Sequence, residues 1–573
     1  MSRPEAYQEA AEHGELPGAS LKQGDLECPE RSALDVGIAL ALCAVSILFL
    51  WPFANYTGLY SDEGIILQGA ERILRGEVPY RDFFTFYTPL SYYWTALRLR
   101  VFGNSFFVAR AILLVYGGAF SMVIYLVARR VCSRNVSILT AYLFLATGLP
   151  QCFTVLHNWD GAFWAALAFY AAVRWLQSGN SFTALATGTL ASLTVLTNQS
   201  IGAGFLLGLG VAGLILIWCQ PDLPALRRAH FAGLLAGLIW PWVVVAVYFT
   251  SQSALTAMLA DLLWPLHHYS SINRIPYGYS SMAYYAWETL CGSGPWVRRL
   301  LYVFVTSPLF LIPAFPFVAL VLLGYCVVRK RSRFAAGERG AYFVTVCACG
   351  LGGVLSAVAA GRPDINHLFY VSLPLYVTVG WILGAKPLDS ALLAKTRPLL
   401  GAFLLVSFTA MGMVYLVSGP LGARQRLETR RGTVHLHCCD AVLPYLTAHV
   451  PRGEKILVYP YQPLYYFLTD TSSPTPFDYL QLGMHTDEQM KEAIAAVESG
   501  QTRYVVYALA FNSLIVPYVW PSTSERALAK DPVRDYILTR YRPCTVLRSL
   551  ALSNVFLVRK GSACPGEAAS GGG

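Results

Sequence analysis

Long apolar runs are the feature of this sequence that most restricts its fold. The 573-residue chain is 55% hydrophobic and only 13% charged, whereas soluble domains carry about 25% charged residues. A run of about 20 apolar residues can cross a bilayer as a helix, because a helix satisfies its backbone hydrogen bonds internally. The sequence therefore predicts an integral membrane protein rather than a set of soluble domains.

Hydropathy predicts about eleven membrane-spanning helices. The predicted spans are 33–54, 106–128, 136–150, 160–176, 182–198, 201–219, 232–250, 304–328, 342–360, 368–385 and 399–417. Basic residues follow the second, sixth, eighth and tenth spans, as at Arg129, Arg130 and Arg134. Because such loops stay in the cytoplasm, this pattern predicts a cytoplasmic N-terminus and an extracytoplasmic C-terminal domain.

The chain divides into four predicted regions, which make it a mainly α, polytopic membrane protein with a small α/β domain. These are a disordered cytoplasmic segment (1–30), a transmembrane domain (31–417, with an outer loop at 55–105), an extracytoplasmic domain (418–563) and a disordered tail (564–573). The third region alternates helical patterns with short strand-like runs, which is typical of an α/β domain. The helical patterns are Asp487–Glu498 and Ser524–Arg540, and the strand-like runs are Lys455–Tyr459, Tyr504–Tyr507 and Val555–Val558.

Charge and cysteine usage exclude several classes of function. The net charge of +10 is typical of basic cytoplasmic loops, and no basic-aromatic motif on a soluble segment indicates nucleic acid. The 13 cysteines form neither a CxxC pair nor a Cys/His pattern with metal-ligand spacing. Cys438, Cys439 and Cys544 fall in the predicted external domain, where a disulfide could form.

An acidic pair, Asp62-Glu63, follows the first predicted span. Carboxylates at membrane depth are costly and therefore mark functional sites. One of them could act as a general base towards an acceptor hydroxyl or amine, or hold a divalent cation. The alternative is structural, because acidic residues also cap and stabilise the first turn of a helix.

The same outer loop carries a fixed cation among aromatic residues. Arg81 could bind a lipid phosphate in bidentate fashion, or it could simply pair with Asp82 or Glu77. The aromatic run that contains Tyr87 is typical of the membrane-water boundary.

Two further polar groups are predicted at the outer ends of later spans. His157 and Asp160 begin the fourth span, and the carboxylate is the stronger functional candidate of the two. Arg362, His367 and Tyr370 lie around a short outer loop, which could bind a phosphate or a sugar or could be a solvated turn. The predicted topology places all of these groups and Asp62 at one membrane face, whereas a transporter would carry charges near the middle of its spans.

The motifs of the first outer loop resemble those of the C-type (GT-C) membrane glycosyltransferases. The segments that carry the resemblance are Asp62-Glu63-Gly64, Leu74–Phe83 and Pro89–Trp94. Within that superfamily, they are most similar to the group of dolichyl-phosphate-mannose–protein mannosyltransferases and lipid A aminoarabinose transferases. The similarity is strongest over residues 55–175.

The resemblance implies an enzyme that transfers a sugar from a polyprenyl-phosphate donor to an acceptor at the outer face, with inversion. It implies catalytic roles for Asp62, with Glu63 beside it, and for Asp160. It implies that no cofactor is required, although a divalent cation could bind the acidic residues. Where one branch of the group has a basic residue for the donor phosphate, this sequence has Tyr87, so Arg81 or Arg362 would have to take that role.

These observations predict a membrane-embedded glycosyltransferase, a hexosyl- or pentosyltransferase, most simply in a bacterial cytoplasmic membrane. Its partners would be a polyprenyl-phosphate sugar, the bilayer, and a lipid, glycan or protein acceptor. The predicted residues for donor phosphate or sugar binding are Arg81, Asp82, Tyr87, His157, Arg362, His367 and Tyr370. The alternatives are a transporter or lipid flippase, and a scaffold whose external domain binds a partner.

Overall fold

A computed structural model describes residues 32–59, 61–219, 228–279, 287–328, 338–384, 391–549 and 552–565. The predicted disordered segment 1–30 and most of the predicted tail 564–573 lie outside these ranges. The first part of the chain is helical. Its helices are α1 (Ala33–Leu50), α2 (Ser61–Leu74), α3 (Leu90–Phe102), α4 (Phe106–Ala128), α5 (Arg134–Gln151), α6 (His157–Ser178), α7 (Ser181–Thr197), α8 (Gln199–Cys219), α9 (Arg228–Ser251), α10 (Leu255–His267), α11 (Tyr269–Ile272), α12 (Trp296–Thr306), α13 (Pro308–Val328), α14 (Glu338–Ala359), α15 (Ile365–Val371), α16 (Leu373–Gly384) and α17 (Ala391–Ser418).

Nine of the eleven predicted spans each correspond to one of these helices, and the other two each correspond to a bent pair of helices. Among the described residues, six helices are long and apolar enough to cross a membrane, or up to eight if each of two bent pairs is one span. The bent pairs are α12 with α13 (51°) and α15 with α16 (75°), and α7 is a shorter apolar helix. The remaining two predicted spans correspond to α5 and α6.

Apolar side chains on the outside of the helical bundle identify the chain as an integral, multi-pass membrane protein. Leu48, Leu214, Val321 and Leu399 are each at least 70% exposed, which is unfavourable in water and favourable in lipid. The cytoplasmic ends predicted for α1 and α4 are joined by charge. Asp35 accepts hydrogen bonds from Arg129 and Arg134, so two of the basic residues that predict the topology are also structural ion-pair partners.

The C-terminal region is the small α/β domain that the sequence predicts. It begins with a hairpin of β1 (Gln425–Thr429) and β2 (Gly432–Leu436). The other strands are β3 (Ile456–Tyr459), β4 (Tyr504–Ala508), β5 (Tyr541–Ser549) and β6 (Leu552–Arg559), and the helices are α18 (Val442–His449), α19 (Leu464–Thr469), α20 (Asp487–Ser499), α21 (Val516–Val519), α22 (Glu525–Ala529) and α23 (Pro532–Arg540). The last four strands form one sheet in the order β3-β4-β6-β5, in which β3 and β4 are parallel and β6 is antiparallel to both β4 and β5.

One disulfide closes the end of this domain. It joins Cys544 in β5 to Cys564, with the two Cα atoms 5.8 Å apart, inside the usual range for a disulfide. Cys438 and Cys439 are free thiols.

The C-terminal domain packs directly on α2, the helix that carries the acidic pair. Buried ion pairs join Arg72 to Asp478 and Arg431 to Glu71. Gly64 makes the closest approach, since a Cβ atom at this position would lie 2.0 Å from the backbone nitrogen of Leu464. Only glycine lets the two backbones come this near. The third residue of the Asp62-Glu63-Gly64 motif therefore serves the contact between the domains.

Candidate active site

A water-accessible cavity of about 460 Å³ lies between the helical bundle and the C-terminal domain. We call it the main cavity. Its polar lining includes Asp62, Gln151, Arg362, Asp364, Asn366 and His367. A smaller space of about 80 Å³ adjoins it, and we call it the aromatic chamber. Its lining includes Tyr87, His157, Tyr269, Tyr461, Tyr479 and Trp520. Asp62, Arg362, His367 and Tyr370 line both spaces.

The two adjacent carboxylates of the acidic pair have opposite environments. Asp62 is exposed to the cavity, and its Oδ1 accepts a hydrogen bond of 2.6 Å from the hydroxyl of Tyr461. Glu63 is fully buried and accepts two hydrogen bonds from Arg110, at 2.7 and 2.6 Å. It also accepts one from the backbone N–H of Val155. Asp62 is thus placed to meet a substrate, whereas Glu63 joins α2 to α4 and to the loop before α6.

Asp160 is a buried carboxylate that lines neither the main cavity nor the aromatic chamber. It is 2% exposed and accepts hydrogen bonds from the hydroxyls of Ser91, at 2.5 Å, and Tyr116, at 2.6 Å. It therefore ties α6 to α3 and α4. His157, three residues earlier on α6, does line the aromatic chamber, where its ring stacks on Tyr87 with centroids 3.9 Å apart.

The basic side of the main cavity is a local network at the start of α15. Arg362 donates to the side-chain oxygen of Asn273 at 3.0 Å and to the carbonyl of Val519 at 3.3 Å. Asp364 contacts Nδ1 of His367 at 2.9 Å and caps α15 through the backbone N–H of the same residue. Burial would raise the pKa of the Asp364 carboxyl, but His367 and Arg362 outweigh it and hold that pKa below its usual value. The carboxylate therefore stays charged beside Arg362 and His367.

Tyr370 lies on the wall beside this network. Its ring packs edge-on against Trp159 and His367, and its hydroxyl donates to the sulfur of Cys152 at 3.4 Å. The aromatic ring closes the membrane side of the cavity between the basic network and α6.

Arg81 and Asp82 lie outside both spaces. The Arg81 side chain is 40% exposed and forms a two-point ion pair with Asp82, at 2.9 and 2.7 Å. It also donates to the carbonyl of Gln252, and Asp82 accepts from the backbone N–H of Val78. This is the ion pair that the sequence left open as an alternative to phosphate binding, and it shapes the turn before Phe83.

The carboxylates around the cavity determine whether a divalent cation could bind there. Within the described ranges, no group of three or more His, Cys, Asp or Glu side chains is arranged to hold a metal. Asp62 and Asp364 both line the main cavity, but Asp364 is already engaged by His367 and Arg362. The carboxylates Glu63 and Asp160 are buried in their own networks.

Sequence reasoning missed the contribution of the C-terminal domain. Tyr461, Tyr479 and Trp520 close the aromatic chamber, and they come from loops that follow strands or short helices of the small domain. An aromatic-rich stretch at 459–467 was the available signal, because a small water-soluble domain rarely needs so many large aromatics without a surface to cover. Its target on α2 could not be read from the sequence.

No protein-family model matches this chain, and no curated protein does. Solved structures of an oligosaccharyltransferase, of ArnT and of an arabinosyltransferase are similar to it. An oligosaccharyltransferase from Archaeoglobus fulgidus, in complex with Zn and sulfate, is similar at a TM-score of 0.47 and 11% identity, over 88% of this chain and 71% of that one. ArnT from Cupriavidus metallidurans in its apo state gives 0.44 and 12%, over 91% and 97%. TM-scores below 0.5 carry no conclusion about function.

A third similar structure is ArnT from Cupriavidus metallidurans bound to undecaprenyl phosphate, with a TM-score of 0.42 and 12% identity, over 91% of this chain and 97% of that one. The arabinosyltransferase EmbB from Mycobacterium smegmatis gives 0.35 and 15%, over 68% and 42%.

Proposed function

We propose that this protein is a glycosyltransferase that moves a sugar from a polyprenyl-phosphate donor to an acceptor at the outer face of the membrane. The observation that carries the proposal is that an exposed carboxylate, Asp62, shares one cavity with the cationic Arg362 and with His367. Sugar transfer from a glycosyl phosphate needs an anionic and a cationic group in one site. The carboxylate takes the proton that the acceptor must lose, and the cation stabilises the phosphate, which leaves with negative charge.

The proposed reaction is a single displacement. The acceptor oxygen attacks the anomeric carbon, the bond from that carbon to the phosphate oxygen breaks, and the acceptor proton passes to Asp62. Arg362 stabilises the departing phosphate by charge-assisted hydrogen bonds, and His367 lies beside it as a further hydrogen-bonding group. Attack from the face opposite the leaving group inverts the anomeric centre. The aromatic chamber, next to Asp62, is the proposed position of the acceptor.

The remaining predicted site residues act around these groups. Tyr87, His157 and Tyr370 form walls against the donor or acceptor sugar, and Glu63 and Asp160 keep the framework of the site in place from behind. Arg81 and Asp82 shape the first outer loop. A divalent cation could still bind to Asp62, but the proposed displacement requires only this chain's own side chains.

We also propose that the site faces the extracytoplasmic side, with the N-terminus in the cytoplasm. The disulfide between Cys544 and Cys564 supports this orientation, because disulfides persist in oxidising compartments. So does the position of Arg129 and Arg134 at the opposite end of α4 from the Glu63–Arg110 pair.

The test compares Asp62→Asn with the wild-type chain in membranes supplied with labelled polyprenyl-phosphate sugars. We expect transfer to fall by about 10²-fold or more, as for removal of a general base, while binding of undecaprenyl phosphate is retained. Glu428→Gln is the matched control, since Glu428 is an exposed carboxylate on the β1–β2 hairpin, and it should transfer at the wild-type rate. Full transfer by Asp62→Asn would remove Asp62 as the base. Directional lipid flux without transfer would favour a flippase.

A further inference from the structure

The C-terminal domain holds the proposed base at several points. Tyr461, which lies just after β3, donates its hydroxyl to Asp62 Oδ1 at 2.6 Å. The neighbouring Ser61 donates to the carbonyl of Tyr461 at 3.0 Å and contacts the side chain of Gln462. Gln462 in turn donates to the carbonyl of Leu59 at 3.0 Å. The segment just before Asp62, and Asp62 itself, are therefore fixed to one short loop of the other domain.

Tyr461 is itself held rigidly. Its ring stacks on Phe511 with centroids 5.8 Å apart, and it packs edge-on against Tyr479 and Trp520 at 4.5 and 5.4 Å. Burial raises the pKa of the Tyr461 hydroxyl well above its usual value, and the nearby charge of Asp62 raises it further. The hydroxyl thus remains a proton donor at every physiological pH.

We propose that Tyr461 is a positioning residue for Asp62, so that the C-terminal domain completes the active site. The inference rests on the proposed function. The Tyr461 hydroxyl fixes one carboxylate oxygen, and the second oxygen, Oδ2, accepts no hydrogen bond from any residue that the structure describes. Oδ2 is then the atom that receives the acceptor proton, and its direction is set by the bond to Oδ1. A hydrogen bond to a charged group is strong enough to hold the carboxylate in one orientation.

The domain contains an internal comparison for this bond. Tyr459, two residues earlier, donates its hydroxyl to Asp531 at 2.5 Å. Both tyrosines are buried and both meet an aspartate, but the Tyr459 pair lies inside the C-terminal domain and lines neither cavity space. Removing either hydroxyl costs one tyrosine–aspartate hydrogen bond, and only one of the two bonds reaches the proposed base.

The experiment compares Tyr461→Phe with Tyr459→Phe, using the labelled donor that wild-type membranes consume. For Tyr461→Phe we expect kcat to fall by about 10- to 100-fold, the range for losing a hydrogen bond to a charged group. The donor KM should stay unchanged. The acid limb of the kcat profile should move to higher pH, because the ionised carboxylate has lost a donor. Tyr459→Phe should leave kcat and the acid limb as in the wild type.

The outcomes separate this inference from the proposed function. Wild-type kcat in Tyr461→Phe, with Asp62→Asn inactive, would overturn the positioning role and leave the base in place. Wild-type transfer by Asp62→Asn would overturn the proposed function itself. If Tyr461→Phe loses kcat with an unmoved acid limb, and its melting temperature falls well below that of Tyr459→Phe, the bond is structural and the inference is wrong.

Discussion

The acidic and basic sides of the main cavity are built in different ways. On the acidic side, Asp62 meets Tyr461 across 399 positions of the chain. On the basic side, Asp364 and His367 are three positions apart and belong to one helix start. The acidic side exists only when two domains are in contact. On the basic side the Asp364–His367 pair is local, although Arg362 also donates to the carbonyl of Val519 in the C-terminal domain. We therefore expect binding of the donor phosphate to depend less on domain packing than the catalytic step does.

The largest effect should come from the buried pair behind the acidic side. Glu63→Ala leaves the guanidinium of Arg110 buried without its carboxylate, and breaking such a pair costs about 3–5 kcal/mol. Thermal unfolding in detergent should show a large loss of stability, with Glu428→Ala as a control near zero. A stability close to that of the wild type would mean that α2 is held by its contacts with the C-terminal domain alone.

The second largest effect should be a loss of stability at low pH, on the acidic side of the cavity. His485 packs between Phe84, Trp264 and Phe477, where the loop before α3 and the helix α10 meet the C-terminal domain. Burial lowers the pKa of His485 from 6.5 to about 4. The folded state therefore favours the neutral ring, and stability is lost as pH falls from 6.5 towards 4.

The maximum cost of protonating His485 is about 3 kcal/mol, from 1.36 kcal/mol per pH unit. Melting temperatures measured at pH 7 and pH 4.5 should differ more for the wild type than for His485→Phe. Equal shifts in the two proteins would show that this histidine does not control the contact between the domains.

On the basic side, Arg362→Gln should weaken phosphate binding without disturbing the fold. Loss of a charge-assisted contact should lower the affinity for undecaprenyl phosphate by about 10- to 100-fold. Arg362→Lys should recover only part of it, because a lysine cannot reach Asn273, Val519 and the ligand together. Arg540→Gln, a substitution of an exposed arginine on α23, is the control. Unchanged affinity in Arg362→Gln would place the phosphate elsewhere.

The smallest effect belongs to neither side. Arg81→Gln removes an exposed ion pair with Asp82, and exposed pairs contribute little to stability. Both unfolding temperature and transfer rate should stay near those of the wild type. A strong loss of donor binding in this variant would restore Arg81 as the phosphate ligand and break the division into two sides.

The sequence predicted the helices better than it predicted the site. Each apolar run became a helix, because backbone groups in lipid must be paired within their own segment. Asp62, Arg362, His367 and Tyr370 share a cavity, whereas their placement at one membrane face stays a prediction. Asp62 is exposed and Glu63 is buried because consecutive side chains on a helix point in different directions. Which of them faces the cavity depends on the position of the C-terminal domain.

The remaining parts of the site depend on contacts that no local pattern encodes. Tyr461 reaches Asp62 only because β3 ends beside α2, and Gly64 permits that approach. Asp160 resembled a cavity residue because hydropathy gives the depth of a residue in the membrane but not the direction of its side chain. Arg81 was ambiguous for the same reason, and its partner was the adjacent residue.

The approach of Leu464 to Gly64 also has a consequence for the order of events during synthesis. Asp62 is made early and inserted with the first helix, but its partner follows about 400 residues later, or roughly 20–80 s at ordinary rates of translation. Until that segment has folded against the bundle, Asp62 lacks its hydrogen bond from Tyr461. If the proposed function holds, the chain would become competent for transfer only after its C-terminal domain is in place.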